Sequence, residues 1–160
     1  MSSNCLPKTN PSPGLSLIAQ LRDDLSVSDR SIAAAFFMAD LQARCHGAAL
    51  DNGWWDKRRK IVEICERHSA DLGSAAKAQI RIANLGLISS EAGEAMDNCR
   101  KNLEPDDHLP EHPGAAVELA DVVIRAFDMA GAEGWNLGQI ILRKLEHNVK
   151  RGYMHGGKLA

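Results

Sequence analysis

The chain has 160 residues, of which 44% are hydrophobic and 25% are charged, and its formal net charge is −2. This composition is typical of a soluble globular domain, and the small negative charge argues against binding to nucleic-acid polymers, which usually requires a basic excess. No apolar run reaches the roughly 18–20 residues of a membrane span, and the widely spaced cysteines form no CxxC pair. We therefore expect a cytoplasmic protein with reduced thiols and no membrane partner.

The prolines divide the chain into helical stretches. Three prolines lie in a polar N-terminal arm, residues 1–14, which we expect to be flexible, and three lie in an acidic connection at 102–114. Residues 15–101 and 114–151 contain no proline and have helical rather than alternating periodicity. The sequence therefore predicts a single all-α domain over residues 15–160, built as a bundle of four to five helices.

Capping residues give the expected helix boundaries. The predicted helices run from about residue 28 to 50, 56 to 69, 74 to 101, 114 to 131 and 136 to 151. Side chains that accept hydrogen bonds from backbone N–H groups begin helices, and proline is tolerated at a helix start. On this basis the expected starting residues are Ser28 or Asp29, Ser74, Pro113 with Gly114, and Asn136.

Two of these helices carry a pair of acids three residues apart. The pairs are Glu91 with Glu94 and Glu118 with Asp121. This spacing places both acids of a pair on one helix face, with roughly 5–6 Å between Cβ atoms. Two such helices facing each other would bring together four carboxylates without histidine or cysteine. That set of hard oxygen ligands suits Mg²⁺ or Mn²⁺, and these cations suit phosphate substrates.

The helix over 114–131 is apolar except for one narrow stripe of polar residues, formed by Glu118, Asp121, Arg125 and Asp128. Because burying an unpaired carboxylate is costly, the stripe must face a cation, a partner charge or a wet cavity. The competing interpretation is a solvated acidic face, or buried salt bridges to Arg125 and Arg100. We favour the cation site.

The last predicted helix carries polar residues on a second face. Lys144, Asn148 and Arg151 are spaced i, i+4, i+7 and share that face. Cations near a helix C-terminus are favoured by the helix dipole in any case, so spacing alone leaves a structural role equally open. The functional interpretation is that these residues neutralise phosphate oxygens that the metal does not reach.

Three segments in this order, LGLISSEAGEAMDNCRK, VELADVVIRAFDMAG and KLEHNVKRGYMHGGK, resemble the MazG-like all-α nucleoside triphosphate pyrophosphohydrolases. That family is marked by an ExxE pair, a variable loop, an ExxD pair and a later lysine–asparagine–arginine helix. GWWDK at 53–57 is similar to the aromatic turn that follows the first helix in many members. Either acidic pair alone is common, but the ordered set ending in HGGK is specific, and the similarity spans residues 53–158.

The resemblance implies hydrolysis of a (deoxy)nucleoside triphosphate to the monophosphate and pyrophosphate, with Mg²⁺ as the cofactor and Mn²⁺ as a substitute. It implies that Glu91, Glu94, Glu118 and Asp121 hold the metal. Glu91 is the first candidate to accept the proton of the attacking water, and Glu94 the second. Ser90 stands where the family often has a further acid, which leaves open which group orients the water.

The same resemblance extends to the substrate. Phosphate and sugar contacts are expected from Lys144, Asn148, Arg151, His155 and Lys158. Trp54 and Trp55 are candidates for stacking on the base. The two tryptophans, with the long connection at 57–73, favour a purine such as dGTP.

Two other classes of helical protein are alternatives to a pyrophosphohydrolase. A non-catalytic helical module that binds a nucleotide or a protein would keep the apolar helices but would not need four converging acids. A di-iron bundle would need Glu-x-x-His pairs, which the sequence lacks.

The helix over 114–131 is apolar on more sides than one short chain can cover, which predicts a homodimer or a homotetramer. The resemblance also implies sites near subunit boundaries.

Overall fold

The structure is a computed structural model that describes residues 27–101 and 103–150. Within these ranges the chain forms α1 (Val27–Asp51), α2 (Asp56–His68), α3 (Ala70–Arg100), α4 (Gly114–Ala132) and α5 (Leu137–Val149). The described ranges contain no β-strand beyond an isolated bridge between Pro105 and Pro113. The predicted all-α fold is confirmed. The arm at 1–14 and the tail from 151 lie outside the described residues, so the expectations placed on them stay predictions.

Capping explains where two of the helices begin. Ser69 is extended, and its Oγ accepts a hydrogen bond from the Leu72 backbone N–H at 3.2 Å, so α3 begins at Ala70. The predicted cap at Ser74 was therefore wrong, because Ser69 already ends α2 and starts the next helix. Asn136 is confirmed as a cap, since its Oδ1 accepts from the Gln139 N–H at 3.0 Å.

The helices pack as neighbours in the order α2, α3, α4, α1, α5. α3 and α4 are antiparallel, and the connection between them is held by the carboxylate of Asp106, which accepts the N–H groups of His108 and Leu109 at 2.8 and 2.9 Å. These two backbone hydrogen bonds lower the pKa of Asp106. Among the described residues, no helix is both long enough and apolar enough to cross a membrane.

Helices α1 and α4 approach closely at a glycine. A Cβ at Gly131 would lie 2.6 Å from the Cβ of His46, a distance that side chains do not tolerate. The absence of a side chain at Gly131 therefore lets α1 lie directly against the end of α4. This contact brings the His46 ring to the polar stripe of α4.

The outer face of the α3–α4 pair is apolar and exposed. Its large side chains are 45–59% exposed, and they are Ile82, Leu85, Met96, Leu119 and Val123. The polar stripe of α4 lies on the inner side, where Asp128 is buried and Glu118, Asp121 and Arg125 are half-buried. α4 thus turns its polar stripe towards its neighbours within the chain, while the described residues bury its apolar C-terminal part but leave Leu119 and Val123 uncovered.

Candidate metal and nucleotide site

Carboxylates of α3 and α4 converge in the structure. Glu91, Glu118 and Asp121 each offer a carboxylate oxygen, and these oxygens lie within 4.8 Å of one another. We call these three residues the acid cluster. It forms because the antiparallel packing of α3 and α4 sets their i,i+3 pairs opposite each other. Glu94 is exposed and lies beside the cluster, and the Ser90 hydroxyl donates to its Oε1 at 3.4 Å.

The charge of the acid cluster is only partly compensated. Burial raises the pKa of the Glu118 carboxyl, and the negative charges of Glu94, Glu91 and Asp121 raise it further. No lysine, arginine or histidine within 27–101 or 103–150 forms an ion pair with Glu94, Glu118 or Asp121. A divalent cation would offset this repulsion, and its preferred oxygen ligands are the ones present. The residues of the cluster therefore fit a Mg²⁺ or Mn²⁺ ion.

Glu91 differs from the other three acids because it forms an ion pair with a basic residue of the described chain. Both Nε and Nη2 of Arg125 donate to its Oε1 at 2.5 Å. One of the two salt bridges of the competing interpretation is thus present, whereas Arg100 instead pairs with Asp97 at 2.5 Å on the surface. Because Arg125 engages one oxygen of Glu91, the other oxygen remains for a cation. Arg125 thereby fixes the orientation of the carboxylate that it neutralises.

Replacing Arg125 with methionine is expected to destabilise the fold by about 1–3 kcal/mol, because it leaves the buried Glu91 carboxylate without its partly exposed ion-pair partner. Urea denaturation monitored by circular dichroism measures the change. Arg100→Met is the control, since the Arg100 side chain is 75% exposed and its ion pair is expected to contribute less than about 0.5 kcal/mol. Equal losses in the two variants would show that the Arg125 pair has no special role.

A second polar cluster lies one helical turn after Arg125. Asp128 is buried, and its Oδ1 accepts the Trp55 Nε1–H at 2.8 Å and also bonds His46 Nδ1 at 2.7 Å. The His46 and Trp55 rings meet edge to face with centroids 5.8 Å apart, and the guanidinium of Arg58 lies 5.0 Å from the Trp55 ring centroid. Trp55 therefore fastens the turn after α1 to α4. The neighbouring Trp54 is 53% exposed.

A cavity of about 270 Å³ separates these two polar groups. Its lining residues come from the α1–α2 turn and from α2, α3 and α4, and they are Trp54, Arg58, Asn84, Leu87, Arg125 and Asp128. We call it the Asn84 cavity. Arg125 both lines this cavity and binds Glu91, so the cavity opens directly beside the acid cluster.

The Asn84 cavity was not predicted from the sequence. Asn84 lies four residues after Ile80 and seven before Glu91, so it interrupts an apolar face of α3 that leads to the acids. A polar residue in that register was the available signal. The roles of His46 and Arg58 gave no such signal, because they depend on how α1 and the turn at 52–55 pack against α4.

The predicted phosphate-binding residues are not brought to the acid cluster by the described part of the chain. Lys144 and Asn148 are exposed on α5, which packs mainly on α1, and neither residue lines the Asn84 cavity. Arg151, His155 and Lys158 lie outside the described residues. Phosphate binding by these five residues stays a prediction.

No family model matches this chain, and no match was found among curated proteins or solved structures.

Proposed function

We propose that this chain is a Mg²⁺-dependent pyrophosphohydrolase that converts a (deoxy)nucleoside triphosphate to the monophosphate and pyrophosphate. The observation that carries the proposal is the convergence of Glu91, Glu118 and Asp121 within 4.8 Å, beside a cavity with space for a base. The ordered motifs that resemble the MazG-like enzymes support the same activity. A purely structural role would not require an acid cluster in which two of the three carboxylates have no basic partner among the described residues.

The chain's own residues would divide the work. Glu91, Glu118 and Asp121 would hold the cation, with Mn²⁺ as a substitute for Mg²⁺. When bound, the cation would supply positive charge that offsets the charge on the phosphate oxygens. Glu94 is exposed and forms no ion pair in the described part of the chain, so it is more available than Glu91 to accept a proton from the attacking water. Arg125 would keep Glu91 in its ligating orientation.

Product analysis tests the reaction. Incubation with each of the common ribo- and deoxyribonucleoside triphosphates and Mg²⁺, followed by ion-exchange chromatography, is expected to give monophosphate and pyrophosphate. EDTA should abolish the activity, and added Mg²⁺ or Mn²⁺ should restore it. Diphosphate and orthophosphate as the first products would contradict attack at the α-phosphorus.

We also propose that the active form is at least a homodimer. The support is the uncovered apolar face of α3 and α4, where Met96 and Leu119 are 58% and 57% exposed. A twofold axis would place this face against its copy and complete a four-helix arrangement from two α3–α4 pairs. In such a dimer the tail after α5, with His155 and Lys158, would contribute to a neighbour's phosphate site.

A further inference from the structure

Asn84 is a buried polar side chain that has no hydrogen-bond partner in the described part of the chain. The residue is only 7% exposed, and its carboxamide forms no hydrogen bond with any residue in the described ranges. Among those residues, Arg81 Nε is the one fully enclosed side-chain nitrogen or oxygen without a hydrogen-bond partner. The amide atoms of Asn84 are therefore not fully enclosed and keep a small accessible surface. That opening is the cavity that Asn84 lines. A ligand that enters this partly open cavity would meet an amide donor and acceptor that no described residue satisfies.

Asp128 lines the same cavity and carries an acceptor that no described group uses. Both hydrogen bonds to Asp128, from Trp55 and His46, reach Oδ1, and no described group bonds Oδ2. Because a carboxylate accepts but does not donate, Oδ2 is complementary to an N–H group of a ligand. Arg58 lines the same cavity, and Arg125 is already paired with Glu91. Arg58 is thus the one cation of the cavity lining that forms no ion pair among the described residues, and the Asp128 carboxylate offsets its charge. The cavity therefore suits a neutral polar group rather than a phosphate.

We propose that the Asn84 cavity binds the base of the nucleotide and that Asn84 and Asp128 select bases with an exocyclic amino group. This inference rests on the proposed function for the identity of the substrate. The amino group would donate to Asp128 Oδ2, and Asn84 would pair with an adjacent donor or acceptor on the base edge. If a keto oxygen replaced the amino group, two acceptors would face each other, and neither the keto oxygen nor Asp128 Oδ2 would have a hydrogen-bond donor. The exposed ring of Trp54 provides a stacking surface.

The amino group can belong to guanine, cytosine or adenine, and matched nucleotides separate these sources. Isothermal titration with dGMP and dIMP tests the 2-amino group of guanine, dCMP and dUMP test the 4-amino group of cytosine, and dAMP and dIMP test the 6-amino group of adenine. In at least one pair the amino-bearing nucleotide should bind at least about tenfold more tightly, the cost of one unpaired buried polar group. Equal affinities within all three pairs would overturn the proposal.

Substitution of Asn84 tests the residue itself. Asn84→Leu is expected to weaken binding of the preferred monophosphate at least about tenfold, and the smaller Asn84→Ser provides a second variant if the leucine is not accommodated. Gln79→Leu is the matched control, since Gln79 carries the same amide on α3 but is exposed. Unchanged affinity in both Asn84 variants, with circular dichroism spectra of the wild type, would overturn the proposal.

Parallel kinetics separate this inference from the proposed function. Asn84-dependent binding of amino-bearing monophosphates without hydrolysis of any triphosphate would support the base site and reject the pyrophosphohydrolase. Hydrolysis with equal kcat/KM for dGTP and dITP, for dCTP and dUTP, and for dATP and dITP would support the enzyme and reject the selection by Asn84 and Asp128.

Discussion

Replacing Glu118 with glutamine is expected to lower kcat by at least about a hundredfold while leaving the metal-free protein as stable as the wild type or more stable. The loss of activity follows because glutamine removes one anionic ligand from the acid cluster. The stability follows because burial, together with the repulsion of the carboxylate neighbours, disfavours the charged form of Glu118 when no cation is bound. Thermal denaturation in EDTA and steady-state kinetics with Mg²⁺ measure the two effects.

The stability effect should depend on pH in a defined direction. The pKa of Glu118 is raised above its ordinary value of 4.5, so the folded chain binds its proton more tightly than the unfolded chain does. The folded wild type therefore loses stability as the pH rises from 4.5 through the raised pKa, and this loss is absent below pH 4.5. The advantage of Glu118→Gln in EDTA should be present at neutral pH and should disappear in acid.

The control for Glu118→Gln is Glu146→Gln, which removes an exposed acid of α5. This control should retain both kcat and the melting temperature. A large loss of stability of Glu118→Gln in EDTA would instead mean that Glu118 serves in a structural ion pair. Added Mg²⁺ should raise the melting temperature of the wild type more than that of Glu118→Gln, since ligand binding to the folded state stabilises it.

The acid cluster was predictable because it depends on two simple regularities. The i,i+3 spacing fixes the face of each acidic pair, and the connection after Arg100 is short enough for α3 and α4 to pack antiparallel. The start of α3 was harder to predict from the sequence, because Ser69 and Ser74 both carry a hydroxyl that can cap a helix. Only the turn after α2 decides that the earlier serine is used.

The division of roles among the polar residues of α4 could not be predicted from the sequence. The stripe predicts that Glu118, Arg125 and Asp128 face one direction, but not which partner each one meets. Arg125 pairs with Glu91 because the two lie opposite each other on antiparallel helices. Asp128 meets Trp55 because the α1–α2 turn packs against α4, and it meets His46 because α1 lies against α4 at Gly131. Both contacts join residues that are far apart in the sequence, by 73 and 82 positions.

Uncovered apolar side chains on α3 and α4 lead to the second large expected effect. If the proposed dimer forms through this face, Leu119→Glu should convert it to monomers and lower its melting temperature. A charge on this face would have to be buried in the interface, and a twofold axis introduces it twice. The dissociation constant of the dimer should rise at least about tenfold. Multi-angle light scattering over a range of protein concentrations measures this change.

Ile61→Glu is the matched control for this substitution. Ile61 is 51% exposed, close to the 57% of Leu119, but it lies on α2 rather than on α3 or α4. Introducing a charge at Ile61 should leave the dimer intact, because the side chain there is expected to remain in water in the assembly as well. A wild-type protein that is active as a stable monomer of 17.4 kDa would contradict the proposed interface. If Ile61→Glu dissociates the assembly and Leu119→Glu does not, the subunits meet through α2 instead, and α4 must be covered by another part of the chain.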